Sequence, residues 1–310
     1  MTRHLVAAAH VSSIMLDKAA SLEKACAMVE EAGRQEVELV CFPETFLPGF
    51  PYWINLYAPG VQHDIYLAYA DQSVDLSTDE LAPLLKVAGA AHCAVVMGLS
   101  ERVGGTMYNT QVFIDEKGIL RGRHRKLQPT YAERMIWSQG DGSTLGVHDL
   151  GVGRVGGLIC YEHMLNLARQ ALIDDDMQIH CASWPTFATS GNARNAAYDQ
   201  RVDALMRAHA ITGQCFVIVA QNPVTEQNVA AMQAAMGPQS VVGVGGGWSA
   251  IIGPDGAFVA TPHTGLDERL VLAEIDHSAI RRAKVLVDTA GHYSRPEVLS
   301  LAVDRRAFRR

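Results

Sequence analysis

Short apolar runs alternate along this chain with stretches in which apolar residues recur every three or four positions. Val6–His10, Glu38–Phe42 and Ala94–Leu99 are brief and mostly apolar, the pattern of buried strands. Met107–Ile114 and Gly118–Arg125 flank Asp115-Glu116-Lys117-Gly118 and predict a hairpin. Arg154–Cys160, Gln178–Ser183, Cys215–Ala220, Ser249–Ile252 and Leu270–Ile275 are strand-like as well. Helical spacing fills the gaps. Leu22, Ala25, Cys26, Val29 and Gly33 fall on one face of a first helix. Leu81–Ala91 and Leu165–Ile173 read as helices. A longer one covers roughly Ala193–Thr212, with Val202, Leu205, Met206, His209 and Ala210 on one face. Strands and helices interleaved in this way indicate an α/β sheet with helices packed on it.

No linker rich in Pro, Gly or Ser divides the chain, so one domain over residues 1–310 is expected. Two segments read as loops or insertions: the aromatic Pro51–Leu76, and Thr225–Gly247, which ends in Gly243-Val244-Gly245-Gly246-Gly247. A dinucleotide fingerprint needs a strand before its glycines and a helix after them. Here a strand-like Trp248–Ile252 follows, which argues against a phosphate loop.

Composition narrows the picture. The 310 residues are 48% hydrophobic and 19% charged, enough for a full core. A net charge of -7 argues against nucleic acid or an anionic membrane surface as a partner. No apolar run approaches the roughly 18 residues that cross a bilayer. Leu5–Ala9 reads as a first strand, not as a signal peptide. The six cysteines, at 26, 41, 93, 160, 181 and 215, form no CxxC pair. That disfavours zinc, and it fits free thiols in a reducing, cytoplasmic setting.

Cys160 is the first candidate for chemistry. It ends the apolar run Val155-Gly156-Gly157-Leu158-Ile159 and precedes polar residues and a helix. A strand–turn–helix corner lifts a side chain clear of a sheet and aims backbone N–H groups at it, which favours a thiolate. The plainer alternative is a buried structural cysteine, the better reading for Cys26, Cys41, Cys181 and Cys215. Glu44 stands among apolar and uncharged neighbours in the stretch from Cys41 to Pro51. Such surroundings raise a carboxylate pKa and suit a general base, although a surface loop glutamate is the common case. Lys126, in His124-Arg125-Lys126-Leu127-Gln128-Pro129-Thr130, reads as a solvated strand end or as a stabiliser of a developing anion. Glu133 follows shortly after. His163 invites a Cys–His dyad, but residues three apart at a turn need not converge. A helix-surface histidine is the commoner case, and a carboxylate base is preferred.

Together these segments strongly resemble the nitrilase branch of the carbon–nitrogen hydrolase superfamily. The matching stretches are CFPETFLPGFPYW (41–53), HRKLQPTYAERMIWSQGDGS (124–143), GGLICYEHMLNLARQAL (156–172), ASWPTF (182–187) and GHYSRPEVLSL (291–301). The resemblance implies a Glu44–Lys126–Cys160 catalytic triad supported by Glu133. It also implies a four-layer α-β-β-α sandwich, hydrolysis of a small-molecule nitrile and no metal or organic cofactor. It further implies pairing into an eight-layered homodimer or a higher homo-oligomer. Little sequence follows residue 301, so a dimer is expected sooner than a long filament. Two departures bear on substrate range: Tyr161 stands where Trp is usual, and Asn166 where Pro is common. The aromatics Tyr52, Trp53, Tyr57, Trp137 and Trp184 read either as pocket wall or as core and interface packing. Tyr52, Trp53 and Trp184, with Tyr161 and Pro185, are the candidate substrate-binding residues. An amidase, a cyanide-hydrolysing relative and a non-catalytic binding or assembly protein on this fold are the competing readings.

Overall fold

A computed structural model describes residues 3–188 and 196–308. Its strands are β1 (Arg3–His10), β2 (Leu39–Cys41), β3 (Ala94–Val103), β4 (Thr106–Ile114), β5 (Leu120–Arg125), β6 (Trp137–Ser138), β7 (His148–Asp149), β8 (Arg154–Ile159), β9 (Ile179–Trp184), β10 (Phe216–Gln221), β11 (Trp248–Ile252), β12 (His263–Thr264) and β13 (Arg269–Asp276). Its α-helices are α1 (Lys18–Arg34), α2 (His63–Asp71), α3 (Ala82–Ala91), α4 (Asn166–Asp174), α5 (Ala196–Gly213), α6 (Glu226–Met236) and α7 (Ser278–Leu286).

The strands form two mixed sheets. One runs β13-β1-β2-β3-β4-β5, with β6 added beside β4; the other runs β12-β11-β10-β9-β8-β7. The period-2 geometry of a strand sorts their side chains into layers. Val6, Ala8, Leu39, Cys41, Ala94 and Val96 join Ile179, Cys181, Ile218 and Ile251 in the core between the sheets. The alternate residues Ala7, Ala9, Val40, Val95 and Met97 pack against Ala25 and Val29 of α1 and Leu84 of α3. On the far side, Leu158, Ala182, Val217 and Ala250 pack against Leu172 of α4 and Val202 of α5. Both faces of each sheet are covered, as the apolar, two-sided strands require. The result is the α-β-β-α sandwich. Each fully buried aliphatic side chain contributes about 1.5–3 kcal/mol.

α1 starts where Asp17 accepts a hydrogen bond from the Ala20 N–H at 2.9 Å. Its buried stripe is Ser21, Ala25, Val29 and Ala32, with Leu22 and Cys26 at the margin. The expected long helix is α5, whose first expected residues, Ala193–Asn195, lie outside the described residues. The two irregular segments contain helices. Short 3-10 turns and α2 occupy part of 51–76, and α6 occupies part of 225–247. Thr225 and Asn228 cap each other at the start of α6, a T-x-x-N signal present in the sequence. The glycine cluster is a packing device. A Cβ at Gly246 would lie 2.1 Å from the Gly265 carbonyl oxygen. Among the described residues, no helix is long and apolar enough to cross a membrane.

Candidate active site

Three chain segments reach one end of the sandwich, each fixed by local backbone chemistry. After β2 the chain crosses Gly98 of β3, where a Cβ would sit 2.2 Å from the Pro43 carbonyl oxygen. Only glycine permits that approach, and it seats Glu44 over the sheet end. At the end of β5, Arg125 grips the Glu101 carboxylate at 2.6 and 2.8 Å and stacks on Tyr108. Lys126 continues the pairing, its N–H donating to the Asn109 carbonyl at 2.8 Å, and its side chain turns fully inward. Beyond β8, Cys160 takes φ +53°, a conformation that costs a non-glycine residue on the order of 1–3 kcal/mol. Thr45 (+42°) and Tyr131 (+47°), beside Glu44 and near Glu133, hold positive φ as well. Strain of this kind concentrates at sites that need a fixed geometry.

The side chains converge. Lys126 Nζ donates to Glu44 Oε1 at 2.8 Å and to Glu133 Oε2 at 2.7 Å. Cys160 Sγ, a carboxylate oxygen of Glu44 and one of Glu133 lie within 4.8 Å of one another. All four residues are buried. Asn109 Nδ2 donates to Glu44 Oε1 at 2.6 Å, and the Thr130 N–H donates to Glu133 Oε2 at 2.8 Å. Glu44 Oε2 has no hydrogen-bond partner among the described residues. One oxygen of that carboxylate is therefore held while the other is open to a proton.

The charges follow from this arrangement. Burial pushes Glu44 up to about 7, and the neighbouring Glu133 charge adds to the rise against the pull of Lys126. Burial alone would strip the Lys126 proton, but Glu133 and Glu44 outweigh it and keep the ammonium. Burial, together with Glu44, also drives the Cys160 thiol well above its ordinary value. This corrects the expectation that the corner favours a resting thiolate. The residues after Cys160 form a 3-10 turn, Cys160–Met164, and α4 begins only at Asn166, so the α-helix N-terminus is too remote to offset desolvation. The sulfur rests as a thiol and needs a base.

A second carboxylate ties the segments together. Glu162 accepts from the Leu127 N–H at 2.7 Å and the Ile159 N–H at 2.9 Å, and His124 Nε2 lies 3.0 Å from it. Leu127 follows Lys126 and Ile159 precedes Cys160, so one buried side chain sets the distance between ammonium and sulfur. Asn109, Glu162 and Tyr198, whose hydroxyl lies 3.9 Å from Cys160 Sγ, were not legible as site residues. Each sits in an ordinary strand or helix pattern, and only the Glu162 position beside Cys160 carries a local signal.

Above this floor opens a cavity of about 330 Å³ whose wall is mostly apolar. Tyr52 and Tyr161 line it, together with Phe50, Leu56, Phe187 and Val242. Trp53, Trp184 and Pro185 are not among its lining residues. Trp53 is wholly buried against Tyr69, and Trp184 is wholly buried and stacked on His163. Pro185 is buried, its carbonyl accepting from the Tyr198 hydroxyl at 3.0 Å. Tyr57 bonds the Gly237 carbonyl and Trp137 the Ser100 hydroxyl, both outside the wall. His163 is likewise corrected: it is fully buried, not on a helix surface, and its Nδ1 meets the Cys160 carbonyl oxygen, not the sulfur.

Comparison with known proteins agrees with this geometry. The carbon–nitrogen hydrolase family profile matches residues 5–285. An aliphatic nitrilase of Rhodococcus rhodochrous is 38% identical over 306 residues, covering 97% of this chain and 79% of its own. A nitrilase from an unknown prokaryotic organism is 39% identical over 312 residues, covering 97% and 90%. Among solved structures, a carbon–nitrogen hydrolase from Helicobacter pylori G27 superposes with TM-score 0.71 at 17% identity, over 91% of this chain and 93% of that one, a likeness of fold. The chain therefore belongs to the carbon–nitrogen hydrolase family, in its nitrilase branch.

Proposed function

We propose that this enzyme converts an organic nitrile and two water molecules into a carboxylic acid and ammonia, with Cys160 as its nucleophile. The observation that carries the reading is the floor of the cavity. A thiol, a half-unpaired carboxylate and an ammonium share one buried site. Glu44 takes the Cys160 proton as the sulfur attacks the nitrile carbon. The nitrogen that becomes anionic is stabilised by Lys126 and by the Tyr161 backbone N–H, and protonation gives a thioimidate. Water, deprotonated by Glu44, adds to this carbon; ammonia leaves and a thioester remains. A second water releases the acid and returns the proton to sulfur. Glu133 holds the Lys126 ammonium in register throughout. The cation between the two carboxylates is Lys126 itself, so the mechanism runs on the chain's own groups.

The substrate is a neutral nitrile with an apolar substituent, since Phe50, Leu56, Phe187 and Val242 offer it no charge partner. Cyanide alone would leave most of the 330 Å³ empty. The test is an assay of aliphatic, aromatic and arylaceto-nitriles with acid, amide and ammonia all measured. Equal acid and ammonia are expected, with a mass increment matching the acyl group trapped on the Cys160 peptide. Turnover of amides alone, or an adduct on another cysteine, would refute the proposal.

We also infer a homodimer or a higher homo-oligomer. Val285 and Leu286, adjacent at the end of α7, are 81% and 82% exposed, and contiguous exposed apolar side chains of this kind mark interaction surfaces. Sedimentation of the purified chain as a monomer at micromolar concentration is the contrary result. The six cysteines are all free, which suits a reducing cytoplasm.

A further inference from the structure

Three histidines that the mechanism leaves unused lie directly behind the nucleophile. His163, His180 and His209 are each fully buried, with His163 and His180 ring centroids 5.0 Å apart and His180 and His209 4.2 Å apart. His163 Nδ1 lies 2.6 Å from the Cys160 carbonyl oxygen, and its Nε2 lies 2.8 Å from His180 Nε2. A carbonyl oxygen only accepts, so Nδ1 must carry the proton. A neutral ring with its proton on Nδ1 can only accept at Nε2, so His180 donates to it. Burial holds both rings neutral, His163 down to about 4 and His180 well below its ordinary value. The ring of His163 also lies nearly parallel to Trp184, at 13° and 5.1 Å, which fixes its plane. The tautomer and the orientation of His163 are thus both determined.

What this grip does follows from the peptide bond. The Cys160 carbonyl and the Tyr161 N–H belong to one rigid trans unit and point in opposite directions. Holding the oxygen on one side aims the N–H on the other. That N–H lies close to the Cys160 sulfur, whose anionic form it favours, and so faces the reacting centre. Cys160 itself, at φ +53°, has no intrinsic preference for this orientation. We propose that His163 is a positioning residue: by donating to the Cys160 carbonyl it aims the Tyr161 N–H at the atom that becomes anionic on the substrate. The inference rests on Cys160 being the nucleophile. It assigns His163 a role in anion stabilisation, not in proton transfer to or from sulfur.

His163→Asn and His163→Asp test it as a pair. The asparagine Nδ2 falls close to the place of the imidazole Nδ1 and keeps a donor there; aspartate places an acceptor against the carbonyl. Losing one donor of an anion hole costs roughly 100- to 1000-fold in kcat, and misaiming one costs part of that. H163D is therefore expected to lose about 30-fold or more in kcat with KM changed less than about threefold, and H163N to stay within about fivefold of the parent. The inhibition constant of a substrate-analogue aldehyde, whose tetrahedral adduct on Cys160 carries an oxyanion, rises in H163D in proportion. Activities are expressed per folded protein, taken from the amplitude of each variant's thermal unfolding transition, so a loss of folded protein alone does not register. Should H163D fail to fold, His163→Leu removes the donor without adding a charge. The proposal is overturned if the donor-less variant keeps kcat within threefold per site, or if H163N falls as far as H163D. Cys160→Ala, run in parallel, separates this from a failure of the nucleophile assignment: an active C160A refutes that assignment, whereas a dead C160A with an active H163D refutes only the role of His163.

Discussion

Cys160→Ala lowers kcat on a nitrile by at least about 10⁴-fold while the protein stays folded. The size follows from what remains once the sulfur is gone. Glu44, Lys126 and the Tyr161 N–H can still bind and polarise a nitrile, but no atom of the enzyme can form the covalent bond that divides the reaction into steps. Removing the nucleophile of a covalent hydrolase leaves only the residual catalysis of its anion site. The fold should tolerate the change. Sγ is a single atom, and alanine meets the same φ +53° that cysteine meets, so no new backbone strain arises. Melting within a few degrees of the parent is expected, and KM for a slowly bound nitrile should be nearly unchanged. Retention of a tenth or more of the parent kcat, with acid still formed, would mean that Glu44 activates water directly and that the thioester route is wrong.

The sequence made the strands and the reactive residues visible for a physical reason. Buried strands such as β1, with Leu5–Ala9, and β10, with Phe216–Ala220, carry continuous apolar runs because both of their faces are covered, and such runs stand out. The same feature hides the layers: Ala7 and Ala8 look alike in sequence, yet one packs on helices and the other on the second sheet. Cys160, Glu44 and Lys126 stood out because a nucleophile at a strand end, a lone charge among apolar neighbours and a basic run form motifs in order along the chain. The groups that hold them did not. Asn109 lies within β4, and only the fold brings its amide to Glu44. Glu162 and His163 are close to Cys160 in sequence, but their partners, Leu127 and His180, come from other segments. Trp184 misled in the opposite sense. Its motif suggested a pocket wall, whereas the ring serves as the backing for His163.

Glu44→Gln separates the base from its scaffold. The amide oxygen can still accept from Lys126 and Asn109, as Oε1 does at 2.8 and 2.6 Å. What is lost is the open oxygen that receives a proton. General-base catalysis contributes about 10²–10⁴-fold, and this base acts in more than one step, so a kcat loss near about 10³-fold is expected. The pH profile should change in a defined direction. Burial holds Glu44 at about 7, so in the parent enzyme the carboxylate forms, and kcat/KM rises, as pH climbs through 7. Lys126, raised above its ordinary value, stays charged across that range and adds no limb of its own. The residual activity of E44Q should lack the rise near 7.

Stability should move the other way. A carboxylate raised from about 4.3 in the unfolded chain binds its proton more tightly when folded, so the parent loses stability as pH rises between those two values. The neutral amide escapes that cost. E44Q is therefore expected to melt higher than the parent at pH 8, with the difference shrinking toward pH 4. Calorimetry at the two pH values measures it. A lower melting temperature for E44Q at pH 8 would show that the Glu44 charge stabilises the fold, and a persistent rise in activity near pH 7 would assign the base to another group. The opposed effects on rate and stability are what a desolvated catalytic carboxylate requires.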